Sequence, residues 1–294
     1  DPGQVVRWTM KAEVFVPGHI SCVFRPVRDP DIARTGSLGL GIRLNLGCQV
    51  KVRTRDDKDL VIRINGRESK AEITRSAVES MASDVGLEID LDHSLPLEQG
   101  FGTSASGTFG AALCVASILG MDRRSALMAT HRAECTLGGG LGDLMAIDSG
   151  FGVPVRESPG IDGKVSDSGL RFRELTLIVF DEPLRTESVL SDADMMKKIS
   201  YAGDEAMKAF SENPTAGGLF SVSNRFSQCI GIESDDIRNA LSVISDEGYH
   251  AGMCMLGNSI YTDLPEYAAK KFFRKASVFS ASSYAGPVNV TRRG

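Results

Sequence analysis

Apolar and polar residues follow two different periods along this chain, and the switches between them mark out strands and helices. Strand composition marks residues 14–16 and 47–55, and residues 59–64 alternate as a half-buried strand does. Residues 73–85 carry the wider spacing of a helix, and residues 87–93 return to alternation. Two apolar helical stretches follow, 105–119 and 123–136, parted by Gly120-Met121-Asp122, which supplies a C-cap glycine and an N-cap aspartate. After a polar, glycine-containing stretch at 157–169, the pattern predicts a strand over 174–181, helices over 191–210, 214–230 and 235–246, and strands near 251–255 and 276–280. No internal repeat or low-complexity tract is present. Mixed strands with segregated helices predict an α+β fold, divided near residue 170 into a first unit, 1–170, and a second, 171–294.

Glycine clusters break this pattern at defined places. The most informative runs Pro96-Leu97-Glu98-Gln99-Gly100-Phe101-Gly102-Thr103-Ser104-Ala105-Ser106-Gly107, straight into an apolar helix. Glycines allow close approach of backbone to a ligand, and the free amides of a helix N-terminus favour phosphate. No G-x-x-x-x-G-K-[ST] occurs, so a nucleotide here would be held by a loop of another class than the Walker type. The alternative is a glycine-rich turn with a Ser or Thr N-cap. A second cluster is Gly138-Gly139-Gly140-Leu141-Gly142-Asp143. Asp143 is either a helix cap or a base beside a substrate hydroxyl, and Asp148 is a weaker candidate of the same type. Ser104 either caps its helix or joins a Mg²⁺ shell. Glu134 lies near a helix C-terminus, where a carboxylate opposes the helix dipole unless a cation or solvent compensates it. His131 and Glu134 are spaced i, i+3, but without further histidines zinc is not expected. Two more small-residue segments complete the set: Phe15-Val16-Pro17-Gly18-His19-Ile20-Ser21, read as a strand ending at Pro-Gly, and Thr35-Gly36-Ser37-Leu38-Gly39-Leu40-Gly41.

Composition narrows the function classes. The 294 residues carry 33 basic and 38 acidic side chains, a formal charge of −5 with no basic tract, which argues against nucleic acid as a partner. No apolar run approaches the roughly 20 residues needed to span a bilayer, and no signal-peptide pattern opens the chain. Six scattered cysteines without C-x-x-C pairs read as buried thiols of a reducing, cytoplasmic compartment. Met10 looks like a natural chain start, so residues 1–9 read as an extension, a cloning remnant or a misplaced start.

In their order, these segments resemble the GHMP kinase superfamily. The family's Pro-x-x-x-Gly-Leu-Gly-Ser-Ser-Ala motif matches Pro96 to Ala105, with Phe101 for Leu and Thr103 for the first Ser; its N-terminal Pro-Gly-Lys/Arg matches Val16-Pro17-Gly18 with His19 at the basic position. Nearly the whole chain is covered. The resemblance implies a two-domain fold, ribosomal-protein-S5-domain-2-like then ferredoxin-like, and a kinase using ATP and Mg²⁺. ATP would lie on Pro96, Gly100, Phe101, Gly102, Thr103, Ser104, Ala105 and Ser106. Ser104 and Glu134 look like the Mg²⁺ ligands and Asp143 like the base, with His19 placed to bond the substrate hydroxyl or tune Asp143. Within the superfamily the chain looks most like the archaeal pantoate kinases, through the segment 16–20, the blocks 35–37 and 45–47, and 138–143. That implies a small hydroxy acid, pantoate, as acceptor, phosphorylated on its primary hydroxyl to 4-phosphopantoate in coenzyme A biosynthesis. Expected acceptor contacts are His19, Ser21, Gly36, Ser37 and Thr186, with Arg25, Arg34, Arg43 or Arg185 to meet the carboxylate. A homodimer is compatible with this reading. Leu38 and Arg43 depart from the subfamily pattern, and Ala251 to Asn258 stands, poor in glycine, where the family's third motif belongs. Mevalonate, homoserine or shikimate are the rival acceptors. A silent relative acting as a ligand sensor is disfavoured, because a sensor does not need Ser104, Glu134 and Asp143 together.

Overall fold

Two long antiparallel strands form the spine of the molecule, β1 (Lys11–Val27) and β2 (Gly36–Thr54). The structure, a computed structural model, describes residues 10–184 and 192–293, so the segment 1–9 lies outside the described residues. The sequence predicted that the first strand ends at Pro17-Gly18, yet β1 runs through both. Register shifts between Pro17 and His19 and between Ser21 and Val23 explain this: a bulge accommodates a residue without a backbone donor and re-aims the side chains that follow. β2 likewise joins the small-residue segment at 36–41 to the strand predicted over 47–55.

The chain continues as β3 (Leu60–Ile64), β4 (Arg67–Glu68), α1 (Glu72–Met81), β5 (Leu87–His93), α2 (Thr103–Leu119), α3 (Arg123–Leu137), α4 (Asp143–Asp148), β6 (Pro154–Arg156) and β7 (Val165–Asp167). It then forms β8 (Leu175–Val179), α5 (Ala193–Glu212), α6 (Ala216–Ile230), α7 (Asp235–Asp246), β9 (Ala251–Met253), β10 (Ser259–Thr262), α8 (Glu266–Phe272), β11 (Ser277–Ala281) and β12 (Thr291–Arg293). The periodic elements stand where the pattern placed them, with ends moved by a few residues. β6, β7, β10, α8 and β12 were not foreseen, because three to seven residues are too few to display a period.

Two sheets result. The first has the order β12-β1-β2-β5-β3-β4, with β6 on β2 and β7 on β6; only β3 and β5 pair in parallel. The second is antiparallel with the order β11-β8-β10-β9. Taken with its helices this is a β-α-β-β-α-β succession, the ferredoxin-like arrangement. Residue 170 falls between the sheets, and β12 returns to the first. α2, buried on nearly every side, packs on β1, β2, α1 and α3.

The long strands serve two cores. Val14, Val16, Val50 and Val52 pack with α2, whereas Ile20, Val23, Leu40 and Ile42 join the cluster built from β8, β10 and α5 to α7. The crossover between these clusters, around residues 17–19, is where the glycine loops converge. Cys22, Cys48, Cys114 and Cys254 are buried free thiols, Cys135 is half-buried and Cys229 exposed. Among the described residues no helix is long and apolar enough to cross a membrane.

Candidate active site

A cavity of about 780 Å³ opens at this crossover, lined by residues of the 98–104 loop, the 138–143 loop, β1, β2 and the segments 183–184 and 255–256. Its floor is the start of α2. Gly102 is the N-cap at φ 61°, a left-handed conformation that suits glycine, and no side chain caps the helix. The capping role considered for Ser104 is therefore excluded. Its hydroxyl instead donates to Oε1 of Glu134 at 2.6 Å. First-turn amides without a capping side chain stand at the positive end of a 17-residue helix beside the cavity, the arrangement an anion favours.

Glu134 is 1 % exposed. Its other oxygen accepts from the Gly140 amide at 2.8 Å, and among the described residues no basic side chain is bonded to it. Burial pushes this carboxyl up to about 7, Asp143 adding to the rise while the Ser104 and Gly140 hydrogen bonds oppose it. A buried carboxylate beside a hydroxyl, with no cationic partner among the described residues, is the hard-oxygen donor set a small divalent cation takes. Among the described residues no group of three His, Cys, Asp or Glu could hold a metal ion. Such a cation would therefore complete its shell with water and phosphate oxygens, as Mg²⁺ does. His131 takes no part, since its Nε2 faces the Ile32 carbonyl at 2.8 Å. The glycine cluster exists to make room for the two carboxylates: a Cβ on Gly139 would collide with Oε2 of Glu134, and one on Gly140 with Oδ2 of Asp143.

Asp143 opens α4 at its first turn, the cap being Gly142. His19 Nδ1 donates to Asp143 Oδ1 at 2.6 Å, and Arg156 Nη1 approaches His19 Nε2 at 3.5 Å. Burial lowers the His19 pKa, against the pull of Asp143 and with help from Arg156 and Arg43. Burial works to raise Asp143, but the hydrogen bond and charge of His19, the Arg156 guanidinium and Ser21 together hold it below the usual carboxylate range. The imidazole is thus neutral, its Nδ1–H aimed at an ionised aspartate and its Nε2 turned to a guanidinium. Of the two roles expected for His19, this geometry fits tuning Asp143 rather than bonding the substrate hydroxyl. The ring is fully buried, fits because Gly41 has no side chain, and has both nitrogens engaged. His19 positions Asp143 from behind.

Other expected contacts divide. Ser21, Ser37, Gly100, Phe101, Gly102, Thr103 and Ser104 line the cavity. Pro96, Ala105 and Ser106 do not; Ala105 and Ser106 are buried in α2, and the Ser106 amide is already bonded to Gly102 O at 3.0 Å. Gly36 packs on Gly160, where a side chain would clash, and forms no part of the wall. Arg185 and Thr186 lie outside the described residues. Of the other arginines, Arg25 pairs with Asp204 at 2.8 Å and Arg34 with Asp29 at 3.0 Å. Arg43 is buried and ties down the carbonyls of Tyr284 and Gly286 at 3.2 and 3.0 Å. Asp148 pairs with Arg123 at 2.5 Å, remote in role from Asp143.

Two residues the sequence did not flag matter here. Arg156, 1 % exposed, reaches Ser37 O at 3.3 Å and Ser21 Oγ at 3.5 Å and so places a positive charge behind both serines. Gln99, 4 % exposed, bridges the phosphate loop to the second sheet: it donates to Phe180 O at 3.0 Å and accepts from the Asn258 amide at 2.9 Å, while Ser259 Oγ donates to its carbonyl at 2.6 Å. Its place three before Gly102 in the loop was the one available signal. Gln99→Leu, similar in volume, strands two backbone groups. It is expected to raise KM for nucleotide about tenfold with KM for the acceptor little changed. Equal effects on both constants would show that Gln99 supports the fold rather than the loop.

No model of a known protein family matches the chain. A pantoate kinase of Methanospirillum hungatei is 28 % identical over 271 residues, 89 % of this chain and 91 % of the relative. One from Thermococcus kodakarensis is 28 % identical over 275 residues, 89 % and 90 % of the two chains. A solved structure described as a phosphotransferase related to the CoA biosynthesis pathway superposes with a TM-score of 0.86 at 26 % identity, over 96 % of this chain and 99 % of that one. Homoserine kinase from Cytophaga hutchinsonii shares the fold with a TM-score of 0.65 at 19 % identity, over 98 % and 99 %.

Proposed function

We propose that this chain, a small-molecule kinase with the GHMP kinase fold, phosphorylates the primary hydroxyl of pantoate with ATP. The observation that carries the reading is the convergence, in one cavity, of an uncapped helix N-terminus, the Ser104–Glu134 pair and the ionised Asp143. The Methanospirillum and Thermococcus relatives are both pantoate kinases, which supports this acceptor.

Phosphoryl transfer asks the protein chiefly for positioning and charge stabilisation. Amides at the start of α2 would hold the nucleotide phosphates, and Ser104 with Glu134 would hold Mg²⁺. When bound, that ion neutralises charge on the phosphate oxygens. Asp143, its orientation set by His19, accepts a hydrogen bond from the attacking hydroxyl. Its depressed pKa makes it a weak base, so it aligns the alcohol first and takes the proton as the new O–P bond forms and the bond from the γ-phosphorus to the departing ADP breaks. Arg156 lends positive potential to the acceptor end through Ser21 and Ser37, which suits a carboxylate.

ADP release from Mg-ATP across pantoate, pantothenate, mevalonate, homoserine and shikimate tests the reading. Turnover confined to pantoate is the expected result. Turnover on another of these alone would keep the kinase and discard the acceptor.

A further inference from the structure

The acceptor end of the cavity has a feature that neither the phosphate loop nor Asp143 requires. Strand β1 places Ser21, Phe24 and Pro26 on the same wall. Regular alternation would send residues 21 and 24 to opposite faces. The register shift between Ser21 and Val23 inserts an extra residue and turns Phe24 and Pro26 toward the cavity beside Ser21. Ser21 lies on the cavity wall beside Asp143 and helps hold its carboxyl low. The apolar pair therefore follows directly on the reacting carboxylate. Across the hairpin Phe24 faces Gly39 and Pro26 faces Ser37. The Phe24 ring is held edge-on to Phe226, centroids 5.4 Å apart, and remains 8 % exposed. Met255, tied to β1 by its amide on Ser21 O at 3.1 Å, supplies a further apolar contact in the same cavity.

Pantoate carries two methyl groups on the carbon next to its primary alcohol. An alcohol aligned on Asp143 brings those methyls against whatever adjoins Ser21. We infer that Phe24 and Pro26 form an apolar shelf for this quaternary carbon, with Phe24 as the specificity-determining residue against unbranched hydroxy acids. The inference rests on the pantoate reading. The shelf is rigid, since a proline and a ring locked on Phe226 have little freedom to refill the space an unbranched acid would leave. A missing methyl in such a pocket is worth roughly tenfold or more in kcat/KM.

The test compares kcat/KM for pantoate with that for 2,4-dihydroxybutanoate, which lacks both methyls, and for its 3-methyl homologue. The intact protein is expected to gain about tenfold with each methyl. Phe24→Ala is expected to cut the pantoate preference by tenfold or more with KM for ATP within about twofold. Phe24→Leu, which keeps the contact with Phe226, guards against misfolding and should lower the preference by a smaller factor. A flat series in the intact protein overturns the shelf even if no variant folds, as does an undiminished preference in a folded Phe24→Ala protein. Turnover of none of the three acids overturns the pantoate reading, and the shelf with it.

Discussion

Asp143→Asn is expected to lower kcat by about 10²–10⁴-fold while leaving nucleotide binding nearly intact. The amide preserves the shape and can still accept from His19 Nδ1, so the fold around Arg156 should survive. What it removes is the charge that aligns and finally receives the hydroxyl proton. kcat and kcat/KM for the acceptor should fall together, as for an interaction realised in the transition state. Near-normal turnover would remove Asp143 as the base. The pH profile offers a second check with a definite sign. A carboxyl held below its ordinary value of 3.8 stays ionised as pH falls, and its contribution is lost only through its own lower pKa. No acid limb belonging to Asp143 should therefore appear above about pH 4.

The Glu134→Gln change should pull stability and activity in opposite directions. The Glu134 carboxyl, ordinarily at 4.5, is raised to about 7 in the fold. Its protonated form is thus favoured when folded, so its contribution to stability is full below about 4.5 and is lost as pH rises through about 7. A shift of that size corresponds to ~3 kcal/mol at alkaline pH. Glutamine cannot ionise and escapes the loss. Without ligands, the variant should match the parent near pH 5 and melt several degrees higher near pH 8. Activity should fall at least a hundredfold and require more Mg²⁺. Equal melting at pH 8 would show that the carboxylate is solvated in the free protein. An unchanged Mg²⁺ dependence would end its assignment to the metal.

The relation of these residues to the chain explains which could be read early. Gly100, Gly102, Thr103 and Ser104 declare themselves within five residues, because a glycine-rich turn entering a helix is a local device of turn, small side chains and helix start. Asp143 is marked by the glycines that clear space around it. Arg156 carries no such mark. It stands in a three-residue strand just before the polar stretch 157–169, too short to show a period, and its partners Ser37, His19 and Ser21 lie 119 to 137 residues away. His19 shows the opposite case: its place beside Asp143 is legible, but which of its two expected roles applies depends on its burial. Burial behind Gly41 cannot be read from a Pro-Gly-His triplet.

Local chemistry was therefore written in the residues: the α+β alternation, the glycine-rich loop without a lysine, and a hydroxyl and carboxylates set at helix starts and glycine turns. Each depends on contacts within a few positions, which spacing records. Depth and direction were settled by packing. The path of β1 across two cores, the neutral state of His19, the buried guanidinium behind it and the bulge that turns Phe24 into the cavity all depend on surfaces meeting from distant parts of the chain. Desolvation and pairing set these properties, and both come into being only when the sheets close over the site.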